Sequence, residues 1–162
     1  HVIFVPLGEN MDKSMLALLI IGLPGSGKTT LANKITKIDG SFILIDDPSY
    51  NKANIREQII HTSKLKKNII ICDPPLCDPA ILKKCKTELA YFKYHTFEIF
   101  FANDPDACQY NIKNTRSVNK YILYLSSLYD PPPNHTNNCG YLIIPVSKFE
   151  SNKKMYSNWS QY

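Results

Sequence analysis

The sequence predicts an α/β domain in which a central, mainly parallel sheet of about five strands lies between two layers of helices. Two observations predict it: short apolar runs alternate with segments of helical periodicity, and Asp–Pro pairs mark helix starts. Strands separated by helices of about 10–15 residues form right-handed βαβ units, and these build a parallel sheet with helices on both faces. We expect this domain to span residues 15–146, between an N-terminal extension (1–14) and a C-terminal tail (147–162).

Five apolar runs predict the strands. The first run, at residues 16–21, is continuously apolar, as expected for a strand that is covered on both faces of the sheet. The other four runs are residues 41–46, 68–73, 95–103 and 140–146.

The helices are predicted from apolar stripes and from their capping residues. Apolar positions recur at helical spacing in residues 31–38 and again in residues 55–60. Each Asp–Pro pair offers a capping oxygen followed by proline in the first helical turn. These pairs occupy residues 47–48, 78–79 and 104–105. We also expect Ser117 to cap a last amphipathic helix, which the sequence DPPP at residues 130–133 stops.

Composition narrows the class of protein. A hydrophobic content of 44% excludes a disordered chain, and no apolar run approaches the roughly 20 residues that a membrane span requires. Five cysteines without a zinc-like pair indicate a reducing, cytoplasmic setting in which they fill the core; Cys72 as a nucleophile is the disfavoured alternative. A net charge of +5 favours contact with polyanions but identifies no partner.

The stretch GLPGSGKTT, residues 22–30, joins the first strand to the first helix. Its first eight residues match the phosphate-binding pattern GxxxxGK[ST] in the strand–loop–helix context that this motif requires. The loop amides and the helix N-terminus would hold phosphates, Lys28 would reach the β- and γ-phosphates, and the Thr29 hydroxyl would bind Mg²⁺. The sequence therefore predicts a three-layer α/β/α P-loop NTPase that uses Mg²⁺ and a nucleoside triphosphate; we expect ATP, with GTP as the alternative that the sequence leaves open. The residues predicted to contact the nucleotide are Gly22, Leu23, Pro24, Gly25, Ser26, Gly27, Lys28, Thr29 and Thr30.

Aspartates follow the second and third predicted strands, at the edge of the sheet where α/β proteins bind ligands. Phosphoryl transfer to a hydroxyl needs a carboxylate that accepts the proton and another that positions Mg²⁺ or its waters. We favour Asp46 and Asp73 for these two roles, with Thr29 and Asp73 as the candidate metal ligands. For Asp47, a role as an alternative base and a role as a helix cap are equally supported, and Asp73 is alternatively part of a simple turn.

The chain has only two arginines, Arg56 and Arg116. Positive charge over the γ-phosphate stabilises the transition state of phosphoryl transfer. Arg116 ends the helix-like stretch after the fourth strand, where small kinases carry a lid, and we expect a lid at about residues 104–120. Arg56 is predicted to lie near the acceptor, and a solvated surface role is its equal alternative.

Taken together, GLPGSGKTT, ILIDDPSY, IIICDPPLCDPAILKKC and FFANDPDACQYNIKNTR resemble the P-loop kinase family that includes the 5′-kinase domain of bacteriophage polynucleotide kinase. The resemblance covers about residues 15–130 and implies that Asp46 or Asp47 is the general base, that Asp73 is the second aspartate and that Arg116 is the lid arginine. In that family an arginine soon after the base grips the acceptor phosphate, whereas Pro48, Ser49 and Tyr50 stand here.

The sequence thus predicts an ATP-dependent kinase whose catalytic residues are Lys28, Asp46 and Arg116. A polynucleotide 5′-hydroxyl is one candidate acceptor, and a nucleoside, a sugar or another small hydroxyl compound is nearly as well supported. A P-loop ATPase without an acceptor, or a nucleotide-binding module without catalysis, remains an alternative of a different class.

Overall fold

The computed structural model describes residues 14–46, 55–113, 116–133 and 141–149, and it confirms the predicted parallel sheet. Five parallel strands lie in the spatial order β2-β3-β1-β4-β5. The strands are β1 (Met15–Ile21), β2 (Phe42–Asp46), β3 (Asn68–Cys72), β4 (Tyr94–Phe101) and β5 (Tyr141–Ile144). The central position of β1 places the loop that follows it in the middle of the carboxyl edge of the sheet.

Five α-helices and one short 3₁₀-helix connect the strands in the described part of the chain. They are α1 (Lys28–Ile38), α2 (Ile55–Lys64), the 3₁₀-helix Pro74–Cys77, α3 (Pro79–Tyr91), α4 (Pro105–Ile112) and α5 (Arg116–Leu128). Two of the predicted aspartate caps are confirmed: the Asp78 side chain accepts a hydrogen bond from the Ala80 amide, and Asp104 accepts one from Ala107. The third Asp–Pro pair, at 47–48, lies outside the described residues.

The sheet has an apolar layer on each face. Alternate residues of β1 point to opposite sides, so that Leu19 and Ile21 belong to one buried cluster and Ile20 to the other. Helices α2 to α5 contribute to the first cluster, and α1 contributes Ala32 to the second. This is the predicted three-layer α/β/α arrangement.

One helix boundary differs from the prediction. The stretch before Arg116 is not one continuous helix, because α4 ends at Ile112 and Lys113 takes a left-handed backbone conformation with φ of 49°. Helix α5 already begins at Arg116, so Ser117 is its second residue rather than its cap. The predicted lid region therefore contains the short helix α4 and the beginning of a second, longer helix, α5.

Tyr129, directly after α5, fastens this helix to the carboxyl edge of the sheet. Its buried hydroxyl group lies at hydrogen-bond distance from the carbonyl oxygens of Ile21 and Phe101, the last residues of β1 and β4. Burial raises the pKa of the Tyr129 phenol, which therefore remains protonated at neutral pH. Tyr129 thus acts as a structural tie beneath the loop that follows β1.

In the ranges that the structure describes, no helix has both the length and the apolar character that crossing a membrane would require.

Candidate nucleotide site

The loop Gly22–Thr29 makes the tight turn that its glycines predict. Gly25 and Gly27 have φ values of 85° and 104°, in the left-handed region that side chains disfavour. Gly25 also lies against α4, where an added Cβ would come within 2.6 Å of the Cys108 carbonyl oxygen and 2.8 Å of Ile112 Cγ1. Glycine at position 25 is therefore required both by the backbone conformation and by the space available.

Lys28, the first residue of α1, is held inside the loop. Its side chain is only 7% exposed, and its Nζ atom donates a hydrogen bond to the Leu23 carbonyl oxygen at 2.9 Å. The ammonium group therefore lies near the N-terminus of α1, where its charge adds to the positive end of the helix dipole. A phosphate in the loop would meet this positive charge without a large movement of the side chain.

Ser26 is a buried polar group at the turn of the loop. It is 3% exposed, and within the described ranges its Oγ atom has no hydrogen-bond partner. Buried hydroxyl groups are normally paired, so an orphaned one in a loop of this kind fits a site that takes an oxygen-rich anion.

The Thr29 hydroxyl group pairs with the carboxylate of Asp46. Its Oγ1 atom lies 3.2 Å from each of the two carboxylate oxygens, and Asp46 is half-buried at the last position of β2. The sequence assigned Thr29 and Asp46 to different tasks and did not predict this contact. Threonine and carboxylate oxygens are the hard ligands that Mg²⁺ prefers.

Asp73 lies close to Asp46 but in a more buried position, at 5% exposure. Cys72 pairs with Asp46 across β2 and β3, and Asp73 is the next residue along the chain. Both carboxylates and the Lys28 ammonium group act electrostatically on the Cys72 thiol. Burial, followed by the negative charge of Asp46, raises the pKa of Cys72 to about 12. The thiol is therefore protonated at neutral pH, which argues against a nucleophilic role and supports the prediction that it is a core residue.

The two arginines differ in their surroundings. Arg56 lies on α2, and its Nε atom forms an ion pair with Glu88 Oε2 of α3 at 3.3 Å, so it has a structural partner away from the loop. Arg116 is exposed at the start of α5 and forms no ion pair with any residue that the structure describes. The structure shows no contact between Arg116 and the loop, and its predicted role as lid residue stays a prediction.

A mainly apolar cleft adjoins the loop on the side opposite the aspartates. We call residues 145–149, which follow β5, the strap. The cleft lies between the strap and the first turns of α1, and Phe101 also lines it. Thr30 and Phe149 face this cleft, so Thr30 lies where the sequence placed a nucleotide contact. Residues 145–146 were predicted to belong to the fifth strand, which instead ends at Ile144, and residues 147–149 to the C-terminal tail, whose position no local pattern indicated.

Solved structures with the same fold are P-loop proteins. A fungal RNA kinase aligns with a TM-score of 0.60 and 14% identity, over 88% of this chain and 80% of that one. Kti12 from Chaetomium thermophilum, in complex with ADP-AlF3, has a TM-score of 0.53 and 16% identity over 89% and 97% of the two chains. A gluconokinase from Sinorhizobium meliloti 1021 has a TM-score of 0.51 and 11% identity over 84% and 85%. At these identities the likeness concerns the fold, which is that of P-loop kinases and does not single out the phage polynucleotide kinase.

Sequence comparison finds a relative rather than a described family. No protein-family model matches the chain. The "Uncharacterized protein R277" of Acanthamoeba polyphaga mimivirus is 32% identical over 123 residues, which make up 74% of this chain and 85% of that protein. The chain therefore combines a P-loop kinase fold with membership of the same family as this mimiviral protein.

Proposed function

We propose that the protein is an ATP-dependent kinase that transfers the γ-phosphate of Mg-ATP to a hydroxyl group. The observation that carries the proposal is the contact between Thr29 and Asp46 beside the buried ammonium group of Lys28. A P-loop alone supports nucleotide binding. A half-buried carboxylate at the same edge adds the proton acceptor that transfer to a hydroxyl requires.

Asp46 is a better candidate base than Asp73, the other described aspartate that follows a strand beside the loop. A base must touch the acceptor hydroxyl, and Asp46 is half-buried whereas Asp73 is almost fully buried. Asp73 and Thr29 are assigned to Mg²⁺, directly or through water. When bound, this ion would offset the negative charge of the phosphates. Asp46, the proposed base, contacts Thr29, which is a proposed metal ligand. A substitution of Asp46 must therefore be tested for an effect on metal binding as well as on proton transfer.

The apolar cleft beside the strap is suited to the nucleobase. Ser26 and Gly27 of the loop line it together with Thr30, so a nucleotide with its phosphates in the loop would carry its base toward this cleft. Phe149 and Phe101 offer aromatic and apolar surface, and the strap supplies backbone groups that follow the end of β5. We assign the phosphates to the loop and the base to the cleft.

A nucleic acid end is the acceptor that the surface of α5 favours. Arg116, Lys120 and Tyr124 follow one another at intervals of four residues and therefore share one exposed side of this helix. Tyr124 is 59% exposed, and neither Arg116 nor Lys120 forms an ion pair within the described chain. Alternating cationic and aromatic groups bind the phosphates and bases of a single strand. The likeness to a fungal RNA kinase supports the same acceptor, while the likeness to a gluconokinase keeps a small hydroxyl compound as the second candidate.

The test is transfer of labelled γ-phosphate from Mg-ATP to RNA and DNA oligonucleotides that carry a 5′-hydroxyl. The same oligonucleotides with a 5′-phosphate, and the Lys28→Ala variant, are the controls. Label on the 5′-hydroxyl oligonucleotides alone, lost in the variant, would establish the proposed reaction.

Other outcomes identify the alternatives. Transfer to nucleosides or sugars without transfer to oligonucleotides would assign a small-molecule kinase. Release of free phosphate at the same rate with and without every acceptor would assign an ATPase, and ATP binding without turnover would assign a binding module.

A further inference from the structure

The side chain of Asn111 connects the P-loop with the strap. Asn111 lies near the end of α4, and its Nδ2 atom donates one hydrogen bond to the Gly25 carbonyl oxygen at 2.9 Å and a second to the Ser147 carbonyl oxygen at 2.8 Å. Its Oδ1 atom accepts a hydrogen bond from the Phe149 amide at 2.7 Å. One side chain thus contacts two segments that lie 86 and 36 residues away in the sequence.

Only an amide satisfies this arrangement. Two carbonyl oxygens require two N–H donors, and a backbone amide requires an acceptor, so the three partners also fix which side-chain atom is nitrogen. A carboxylate at position 111 would place negative charge against two carbonyl oxygens. An apolar side chain would leave the three backbone groups without their partner.

The two connected segments are held with different strength. Gly25 has further contacts with α4, because its Cα lies against the Cys108 carbonyl group and the Ile112 side chain. Within the strap, by contrast, the described hydrogen bonds of Ser147 and Phe149 are those with Asn111. The strap has other contacts, since Lys148 Nζ lies 5.6 Å from the Tyr110 ring centroid and Val146 packs against the core, but the described hydrogen bonds of its residues 147 and 149 all involve Asn111.

We infer that Asn111 is a positioning residue that holds the strap, and with it Phe149, at the distance from the P-loop that suits a nucleobase. This inference rests on the proposed nucleotide site and deepens it. Asn111 touches neither phosphate nor base in this assignment; it acts through the backbone of residues 147 and 149. A wall that is already in place does not have to be ordered when the ligand binds, and this raises affinity for the part of the ligand that the wall contacts.

The test separates base binding from phosphate binding. Dissociation constants for Mg-ATP and for inorganic tripolyphosphate with Mg²⁺ are measured by calorimetry on the whole chain and on the Asn111→Ala variant. We expect ATP affinity to fall about tenfold while tripolyphosphate affinity changes by less than about twofold, because the base is lost from its site and the loop is not.

Asn103 provides a matched control. Its Nδ2 atom donates to the carbonyl oxygens of Ser126 and Tyr129, and its Oδ1 atom accepts from the Ser126 hydroxyl group. Asn103→Ala therefore removes the same number of hydrogen bonds from the same residue type, at the contact between the end of β4 and α5. This variant should lose comparable thermal stability and keep the wild-type ratio of the two dissociation constants.

The outcomes are distinguishable. A proportional loss of both affinities in Asn111→Ala, or no loss of either, would overturn the positioning role while leaving the nucleotide site intact. A change in the ratio in Asn103→Ala as well would also overturn it, because the effect would then follow general destabilisation. Failure of the unmodified protein to bind either ligand would overturn the proposed function itself, and the inference with it.

Discussion

The two sides of the P-loop are built differently. On the side of β3 and β2, the hydroxyl group of Thr29, at the end of the loop, lies 3.2 Å from each carboxylate oxygen of Asp46. The Thr29 side chain is exposed, and Asp46 is half-buried. On the side of β4 and β5, Asn111 donates one hydrogen bond to the loop at Gly25 and forms two with the strap, at distances of 2.7–2.9 Å, and the ring of Phe149 lines the adjoining cleft. One side thus presents a hydroxyl group and a carboxylate, and the other a network of backbone hydrogen bonds; in the proposed kinase the first side would carry the chemistry and the second would hold the nucleotide.

The largest effect is expected from a substitution of Gly25, which lies within the loop itself and against α4. In Gly25→Ala the new Cβ would meet the Cys108 carbonyl oxygen at 2.6 Å, and the backbone conformation would be strained as well. A displacement of about 1 Å at such a site costs on the order of 100-fold in function, so we expect ATP binding to weaken by at least that factor. Calorimetry measures the loss.

Gly40→Ala is the control, since nothing lies within 4 Å of the Cβ it would add. Equal ATP affinities in the two variants would show that the contact between Gly25 and α4 is not needed for binding.

Asp46→Asn should lower turnover, because it removes the proposed proton acceptor, and should leave the contacts of the strap unchanged. If Asp46 is the base, turnover falls by about 100-fold and the Mg²⁺ concentration at half-maximal activity stays the same. Steady-state kinetics over a range of Mg²⁺ concentrations provides the measurement. Recovery of turnover at high Mg²⁺ would instead assign Asp46 to the metal. Asp104→Asn serves as the control, because asparagine caps a helix as well as aspartate does.

Arg116→Ala tests whether the start of α5 takes part in the reaction. Removing one charge that stabilises the transition state costs about 100-fold in turnover, and the dissociation constant for ATP should change little. The other arginine of the chain is the natural control: Arg56→Ala removes an ion pair with Glu88 and should leave turnover within about twofold, as surface ion pairs contribute little. Similar rates for both variants would exclude a lid role for Arg116.

Phe149→Ala should give the smallest effect, confined to the strap side. The loss of one aromatic contact with the base is expected to weaken ATP binding about fivefold and to leave tripolyphosphate binding unchanged. Phe92, an equally half-buried phenylalanine after α3, is the matched control. If Phe92→Ala weakens ATP binding as much as Phe149→Ala does, the base does not lie against the strap.

Most of the fold could be predicted because its signals are local. The apolar run of β1, the glycines of the loop and the proline caps of α3 and α4 each fix a conformation within a few residues, and the structure has them where they were expected. The end of α4 could not be predicted, because Lys113 adopts a left-handed conformation that lysine does not signal.

The site could be predicted only as far as the motif extends. Lys28 and Thr29 follow from the pattern itself, but the partner of Thr29 depends on which strand ends lie close to α1. Helix α1 packs across both β2 and β3, and nothing in the local sequence decides between the aspartates that follow them. Asn111 is still harder to recognise, since it is one of several polar residues on a short helix and its partners are distant in the sequence.

The reactivity of the buried thiol groups offers a measure of local opening of the structure. The four cysteines in the described ranges all lie in the core, and burial raises the pKa of each of them to about 12. Thiol reagents attack the thiolate, so each of these four sulfur atoms reacts only when the segment around it opens to water. Cys72, Cys77 and Cys108 lie within electrostatic reach of Lys28, whereas Lys28 is not among the charges that act on Cys85. The rates at which individual cysteines are alkylated would therefore measure how often each part of the nucleotide site opens to water, without the introduction of any new cysteine.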